Sequence, residues 1–200
     1  MTKKIAVVLS GCGYKDGSEI TESVSVLIAL SELGAEVRCF APSDQLEASA
    51  RIARDEISQL SELQEKDFDA VVFPGGSGAA KNLSTWATEG SKAKVNADVQ
   101  RVILAFHKAS KPIGAICIAP TLLARVLGHE HPELTIGDDA ETAAEIEKTG
   151  AQHTRCSVDD YVSDRDHKLL TTPAYMFGHA KPNEVFSGIR RMLTELVEMA

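Results

Sequence analysis

A cysteine stands where an apolar strand would turn directly into a helix, in Ile113-Gly114-Ala115-Ile116-Cys117-Ile118-Ala119-Pro120. Such a turn is strained, and it is sterically possible only when the residues two before and two after the nucleophile are small, as Ala115 and Ala119 are. The turn would present the thiol at the carboxyl end of the strand, where the N–H groups and dipole of the next helix favour a thiolate. Cys117 is therefore a candidate nucleophile with a lowered pKa. The alternative is a buried, inert structural cysteine.

Two glycine-rich loops also follow predicted strands. The apolar run 4–9 leads into Ser10-Gly11-Cys12-Gly13, and the run 70–73 leads into Pro74-Gly75-Gly76-Ser77-Gly78. The carboxyl ends of parallel strands share one edge of a sheet, so both loops should lie close to Cys117. Without a Cβ, Gly75 and Gly76 allow their backbone to approach a substrate closely. The N–H groups of Gly76 and Ile118 would then face an oxyanion formed on an attacked carbonyl group.

Glu19 is the candidate proton-transfer group at the same edge. It opens the first predicted helix, within Asp16-Gly17-Ser18-Glu19. A carboxylate in this first turn also fits a helix cap, with Asp16 three residues earlier as its partner. The sequence leaves both roles open. Cys12 lies in the loop after the first strand and is a candidate redox partner for Cys117.

The elements that would position these residues alternate between strands and helices. The first helix, near residues 18–33, has apolar side chains at helical spacing, namely Ile20, Val24, Leu27, Ile28 and Leu30. Further strands are predicted at 37–41 and 113–116, with shorter ones at 134–136, 154–162 and 169–171, and a helix closes the chain at 185–199. This alternation predicts an α/β fold, with a mostly parallel sheet and helices on both faces. The length of 200 residues predicts a single domain over 1–200.

Composition narrows the classes of function. The chain has 21 basic and 29 acidic residues and a net charge of -8, which argues against nucleic-acid and anionic-membrane partners. Four cysteines without a Cys-x-x-Cys pair predict free thiols and no metal site. No apolar run is long enough to span a bilayer, and Met1-Thr2-Lys3-Lys4 leads directly into a strand without a secretion signal. We therefore expect a cytoplasmic protein.

Seven motifs, in order along nearly the whole chain, resemble the ElbB-type glyoxalases of the PfpI/DJ-one superfamily, within the class I glutamine amidotransferase-like fold. The motifs are Ser10-Gly11-Cys12-Gly13, Asp16-Gly17-Ser18-Glu19, Pro74-Gly75-Gly76, Ala79-Ala80-Lys81-Asn82-Leu83-Ser84, Cys117-Ile118-Ala119-Pro120, Leu134-Thr135-Ile136-Gly137 and Thr171-Thr172-Pro173-Ala174-Tyr175-Met176. The resemblance implies a flavodoxin-like three-layer sandwich, a homodimer, and a site in which a protonated Glu19 hydrogen-bonds the Cys117 thiolate.

The activity implied by the resemblance is a glyoxalase that needs no cofactor and converts glyoxal, or another small α-oxoaldehyde, to the hydroxy acid. This activity could reflect the reversal of protein glycation. Many relatives carry a histidine at the end of the next strand, where this chain has Gly137 and Asp138, so we expect slow turnover. Asp138 is instead expected to cap the following helix.

Two other functions remain open from the sequence. Cys117 could make the chain a non-enzymatic redox or electrophile sensor, or the chain could be a binding or assembly protein of this fold. A protease or amidase is disfavoured, because His131-Pro132-Glu133 lies only 14 residues after Cys117 and no Cys-His-acid triad can be assembled.

Overall fold

The computed structural model describes residues 2–200. Its strands and helices alternate along most of the chain, as predicted. In chain order they are β1 (Lys4–Val8), α1 (Ile20–Glu32), β2 (Glu36–Ala41), α2 (Leu46–Ala53), β3 (Ile57–Gln59), β4 (Ala70–Phe73), α3 (Ser77–Lys81), α4 (Trp86–Glu89), α5 (Ala97–Lys108), β5 (Ile113–Ile116), α6 (Pro120–Leu127), β6 (Glu133–Leu134), α7 (Ala140–Glu147), β7 (Gln152–His153), β8 (Val162–Asp164), β9 (Leu169–Thr172) and α8 (Pro182–Met199).

Seven strands form the central sheet, in the order β3-β2-β1-β4-β5-β9-β8. Every neighbouring pair is parallel except β8 and β9, which run antiparallel at one edge. The predicted mostly parallel sheet with helices around it is confirmed. Strands β1, β4 and β5 lie side by side in its centre, so the loops after them meet at one edge.

Both faces of the sheet are covered by helices, which explains why the central strands are apolar without alternation. In β1, Ile5 and Val7 pack on one side with α1 and α8, while Ala6 and Val8 pack on the other side with α5 and α6. All four side chains are at most 1% exposed. This packing on both faces holds the central strands in place, and with them the loops that carry the candidate site.

The large apolar side chains that repeat along one face of helix α1 are exposed, and a different face of the helix is buried. Ile20, Val24 and Ile28 are 49%, 39% and 47% exposed, respectively. The buried face instead includes Glu22 and Val26, together with Ala29 and Leu30 further along the helix. Burial of a carboxyl group is costly unless the group is hydrogen-bonded. Glu22 lies beside the loop after β4, where a backbone N–H group donates to it.

Three sequence predictions on the distal part of the chain need correction. The strand expected at 154–162 is absent, because a turn closed by the hydrogen bond from Asp160 N–H to Ser157 O (3.1 Å) separates β7 from β8. The strand expected at 134–136 is only Glu133–Leu134, and it pairs with β7 outside the main sheet. It stops there because the next two N–H groups are bound by side chains, Thr135 N–H by Thr171 Oγ1 and Ile136 N–H by His153 Nε2. Helix α7 is capped by Asp139, whose side chain accepts from Glu141 N–H, and not by Asp138.

The helices of residues 2–200 include none that is both long and apolar enough to cross a membrane.

Candidate functional site

Cys117 occupies the predicted strand-to-helix turn, between the end of β5 and the start of α6. Its φ of 61° lies in the left-handed region, which is costly for a residue with a Cβ. The turn is held by hydrogen bonds from Cys117 N–H to Thr172 O (2.9 Å) and from Ala119 N–H to Ile116 O (3.0 Å). Ala115 and Ala119 are fully buried beside it, as the need for small residues at these positions predicted.

The carboxyl group that faces the thiol belongs to Glu22, which is fully buried. Glu22 Oε2 accepts from Gly75 N–H at 3.0 Å, and Oε1 accepts from Tyr175 N–H at 3.1 Å. The side chains of Glu22 and Cys117 also hydrogen-bond each other. Loss of water on burial raises the pKa of Glu22 to about 8, although the hydrogen bonds from Tyr175 and Gly75 act against the rise. Glu22 is therefore protonated at neutral pH.

The pKa of the Cys117 thiol is raised well above its usual range, contrary to the lowered pKa that the sequence suggested. Burial of the thiol is the main cause, and the negative charge of an ionised Glu22 adds to it. Hydrogen bonds from the N–H groups of Gly76 and Ile118 favour the thiolate, but they do not outweigh these effects. Helix position alone predicted the wrong direction because the sulfur is shielded from water, with Cys117 only 7% exposed.

Glu19 is placed differently from the position that the resemblance implied. It is the N-cap of α1, and its Oε2 accepts from Glu22 N–H at 2.6 Å, so the capping role is present. Its carboxylate lines the cavity above Cys117, but Glu22, three residues later, makes the hydrogen bond to the thiol. The reason is helical geometry, because Glu22 lies on the buried face while the Glu19 side chain turns back onto the first turn. Val26, Ala29 and Leu30 share the face of Glu22, but Ile20, Val24 and Ile28 mark a second apolar face, so the sequence did not indicate Glu22.

Gly75 and Gly76 bring the β4 loop against the thiol. A Cβ on Gly75 would lie 2.4 Å from Cys117 Cβ and 2.5 Å from Glu22 Oε2, so any side chain would displace the pair. Gly76 has a φ of 97°, and a Cβ there would lie 2.3 Å from Glu19 N. This close approach of the loop places Gly76 N–H beside the sulfur of Cys117, where Ile118 N–H also donates. An oxyanion formed on a carbon bonded to this sulfur would lie beside the same donors.

The thiol opens into a cavity of about 480 Å³. Glu19, Gly76 and Cys117 line it together with several apolar and aromatic side chains, namely Tyr14, Ala80, Ala87, Ile118, Tyr175 and Met176. No histidine of residues 2–200 lines this cavity. At the position where the family resemblance implied one, Gly137 has a φ of 89° and packs against Phe177 and Pro173.

The four cysteines are all free thiols. Cys12 is half-buried and packs against the same apolar cluster as Cys117, but it does not line the cavity. Its role as a redox partner stays a prediction. Within residues 2–200, no group of three or more His, Cys, Asp or Glu side chains is arranged to hold a metal ion.

Residues 3–174 match the model of the DJ-1/PfpI family. The chain belongs to the DJ-1/PfpI family. Among solved structures, it is similar to an isoprenoid biosynthesis protein with an amidotransferase-like domain from Ehrlichia chaffeensis, with a TM-score of 0.91, 31% identity and 99% of both chains covered. Glyoxalase III from Candida albicans has a TM-score of 0.68 over 97% of both chains, and at 12% identity it shows the fold alone.

Curated relatives of this DJ-1/PfpI protein cover 98% of its length. The human glutamine amidotransferase-like class 1 domain-containing protein 3, mitochondrial, is 42% identical over 223 residues, which span 83% of the relative. The zebrafish (Danio rerio) ES1 protein, mitochondrial, is 34% identical over 233 residues, which span 85% of that protein. The superfamily and the amidotransferase-like fold are thus confirmed, whereas these relatives are not named as glyoxalases. Because they are named as mitochondrial, the prediction of a cytoplasmic protein is contradicted.

Proposed function

We propose that this chain is a cofactor-independent glyoxalase that converts glyoxal, or a similar small α-oxoaldehyde, to the hydroxy acid through Cys117. The observation that carries the proposal is one arrangement at the floor of the cavity. A thiol, two backbone donors from Gly76 and Ile118, and the buried carboxyl group of Glu22 meet there. Glyoxalase III from Candida albicans has the same fold, so this fold can accommodate the reaction class.

The reaction begins with addition of the thiol to an aldehyde carbon. Glu22, in its carboxylate form, accepts the thiol proton as the sulfur–carbon bond forms. The electron pair of the C=O bond moves to oxygen, where the N–H groups of Gly76 and Ile118 stabilise the developing charge. This oxygen then takes the proton from Glu22, which gives a hemithioacetal on Cys117 and restores the Glu22 carboxylate.

The remaining steps move one proton and consume one water molecule. The proton on the sulfur-bearing carbon is transferred to the neighbouring carbon through an enediol, and the Glu19 carboxylate that lines the cavity is the available base. This transfer leaves a thioester on Cys117. Water then cleaves the thioester, which releases the hydroxy acid and returns the proton to the thiol. Glyoxal and water together give glycolic acid, so the reaction needs no external oxidant or reductant.

The test is glycolate formation from glyoxal, followed by NMR in a buffer without free amines. We expect Cys117→Ser to abolish turnover and Glu22→Gln to lower kcat at least about a hundredfold, as is typical for loss of a proton-transfer group. Glu19→Gln should lower kcat as well. Cys156→Ser is the matched control, because Cys156 is a free, half-buried cysteine that does not line the cavity. Glycolate formation at equal rates with Cys117→Ser would refute the proposal.

A second arm of this experiment separates the open alternatives. Adding an amine glycated by glyoxal tests whether the same site reverses glycation instead of acting on the free aldehyde. If no substrate is turned over, mass spectrometry after mild peroxide tests the sensor function, which predicts reversible oxidation of Cys117, alone or in a disulfide with Cys12. If Cys117 is neither catalytic nor oxidised by peroxide, the enzyme and sensor functions are both excluded, and a binding or assembly role remains.

We also propose that the chain forms a homodimer, as the family resemblance implies. Ile20, Val24 and Ile28 form an exposed apolar stripe along α1, which suits contact with a second copy. Analytical ultracentrifugation tests this proposal. Val24→Glu should shift the protein to a monomer, whereas Leu104→Glu, which makes a matched change at an exposed apolar position of α5, should not. A monomeric wild-type protein would refute it.

A further inference from the structure

The cavity above Cys117 is much larger than glyoxal requires. Its volume of about 480 Å³ is within the range of about 300–1,000 Å³ that is typical of sites for drug-sized ligands. Glyoxal has only four non-hydrogen atoms, so most of the cavity would hold water in a complex with it. A substrate with a larger substituent would displace that water and contact the walls.

The chemistry of the walls indicates what this substituent is. Tyr14, Tyr175, Met176 and Ile118 present aromatic and aliphatic surface, and Ala80 and Ala87 leave room beside them. Burial of apolar surface in such a site is favourable, and aromatic rings add stacking.

The charged side chains of the cavity already have backbone partners. The Glu19 carboxylate accepts from Glu22 N–H, and Lys81 Nζ donates to Lys15 O at 2.8 Å. These two charged groups lie among walls that are mostly apolar, so an apolar substituent would contact more of the cavity than a charged one.

We infer that the preferred substrate is an α-oxoaldehyde, R–CO–CHO, in which R is an aromatic or branched aliphatic group that fills this cavity. The inference rests on the proposed function. The aldehyde carbon would bond to Cys117 Sγ, and R would lie among Tyr14, Tyr175 and Met176. The reaction, R–CO–CHO plus water to R–CH(OH)–COOH, oxidises the aldehyde carbon and reduces the ketone carbon, so it balances without a co-reactant.

The experiment compares initial rates on phenylglyoxal, assayed as mandelate, with those on glyoxal, assayed as glycolate. Because the phenyl group is removed from water in the complex, we expect kcat/KM for phenylglyoxal to be about tenfold to a hundredfold higher. Cys117→Ser with the same reagent corrects for side reactions of phenylglyoxal with arginine. Equal kcat/KM values, or a higher value for glyoxal, would overturn the inference.

A variant pair on α4 tests whether the cavity is the cause. Ala87→Phe places a ring in the cavity from an exposed position, and it should lower kcat/KM for phenylglyoxal at least tenfold more than for glyoxal. Thr88→Phe adds the same ring one residue along the helix, where the side chain does not line the cavity, and should leave both values unchanged. Equal losses for both substrates in Ala87→Phe would contradict the inference. Thermal melting of both variants verifies that they fold.

A parallel binding measurement keeps this inference separate from the proposed function. Protection of Cys117 from iodoacetamide by mandelate and by glycolate requires no turnover. If neither aldehyde is consumed, the glyoxalase proposal fails, yet protection by mandelate at a concentration at least tenfold lower than glycolate would still support the apolar specificity. Equal protection, or none by either acid, would refute it.

Discussion

Glu22 provides the sharpest test of the site, because its raised pKa must appear in the pH dependence of folding stability. In the unfolded chain, a glutamate releases its proton near pH 4.5, whereas in the folded protein Glu22 keeps it up to about pH 8. Between these two values the native state binds more protons than the unfolded state. Stability therefore falls as pH rises through this window, and the loss is complete above pH 8.

The magnitude follows from the two pKa values. Each unit of pH inside the window removes about 1.4 kcal/mol of unfolding free energy. Because the loss begins gradually near pH 4.5, it amounts to roughly 2–3 kcal/mol between pH 5 and pH 7. Glu22→Gln removes this titration, so the unfolding free energy of the wild-type protein should fall by that amount relative to the variant over this interval.

The assay is urea unfolding at several pH values between 5 and 9, followed by the fluorescence of Trp86, the single and largely buried tryptophan. The slope of the difference with pH is diagnostic. The absolute difference in unfolding free energy is not diagnostic. The NH₂ group of Gln at position 22 would replace one of the two oxygens that accept from Gly75 N–H and Tyr175 N–H, so the variant also loses a hydrogen bond. Glu198→Gln, on the exposed surface of α8, controls for the change in net charge. A difference that stays constant within about 0.5 kcal/mol from pH 5 to 8 would show that Glu22 is ionised and refute the reasoning.

Three further predictions concern the turn and its neighbours. Gly75→Ala should destabilise the fold by about 1–3 kcal/mol in urea unfolding and abolish turnover, because the new Cβ would overlap Cys117 Cβ and Glu22 Oε2; an active, equally stable variant would contradict the packing. Cys117→Gly should be more stable than Cys117→Ala by about 1 kcal/mol, because glycine accepts the φ of 61° without strain, and equal unfolding midpoints would argue against a strained turn. Alkylation of Cys117 by iodoacetamide, followed by mass spectrometry, should be slow at pH 7 and rise steeply above pH 8, because its pKa is raised; a fast rate that is constant from pH 6 to 8 would indicate a preformed thiolate.

The strands and the turn at Cys117 could be predicted because each depends on a short local signal. Apart from Lys4, the strands β1, β4 and β5 contain no polar residue, and the segment after each contains glycine or the small residues that a tight turn requires. The positions of Gly75, Gly76 and Ile118 next to Cys117 then follow from the rule that parallel strands end at one edge.

The identity of the buried glutamate could not be read from the sequence, because helix α1 has apolar residues on two faces. Ile20, Val24 and Ile28 repeat with helical spacing, and so do Val26, Ala29 and Leu30. Periodicity alone cannot say which set is inside. Packing against α8 and the sheet decides it, and with it whether Glu19 or Glu22 is shielded from water. The end of β6 could not be predicted for a related reason, because side chains bind the N–H groups of Thr135 and Ile136 where a longer strand would continue.

Two pairs of backbone donors explain how a site with two raised pKa values could still perform the proposed chemistry. The N–H groups of Gly75 and Tyr175 hold the Glu22 carboxyl group, and those of Gly76 and Ile118 hold the sulfur of Cys117. Burial permits one negative charge on the pair but disfavours two.

When the sulfur attacks a carbonyl carbon, the proton moves to Glu22 and the charge moves to the new oxyanion beside the second pair of donors. The number of buried charges stays at one throughout the step, so no new charge has to be desolvated. This mechanism requires the carboxylate form of Glu22. Turnover should therefore increase as pH rises towards 8, whereas a site built on a preformed thiolate would already be fully active at pH 6.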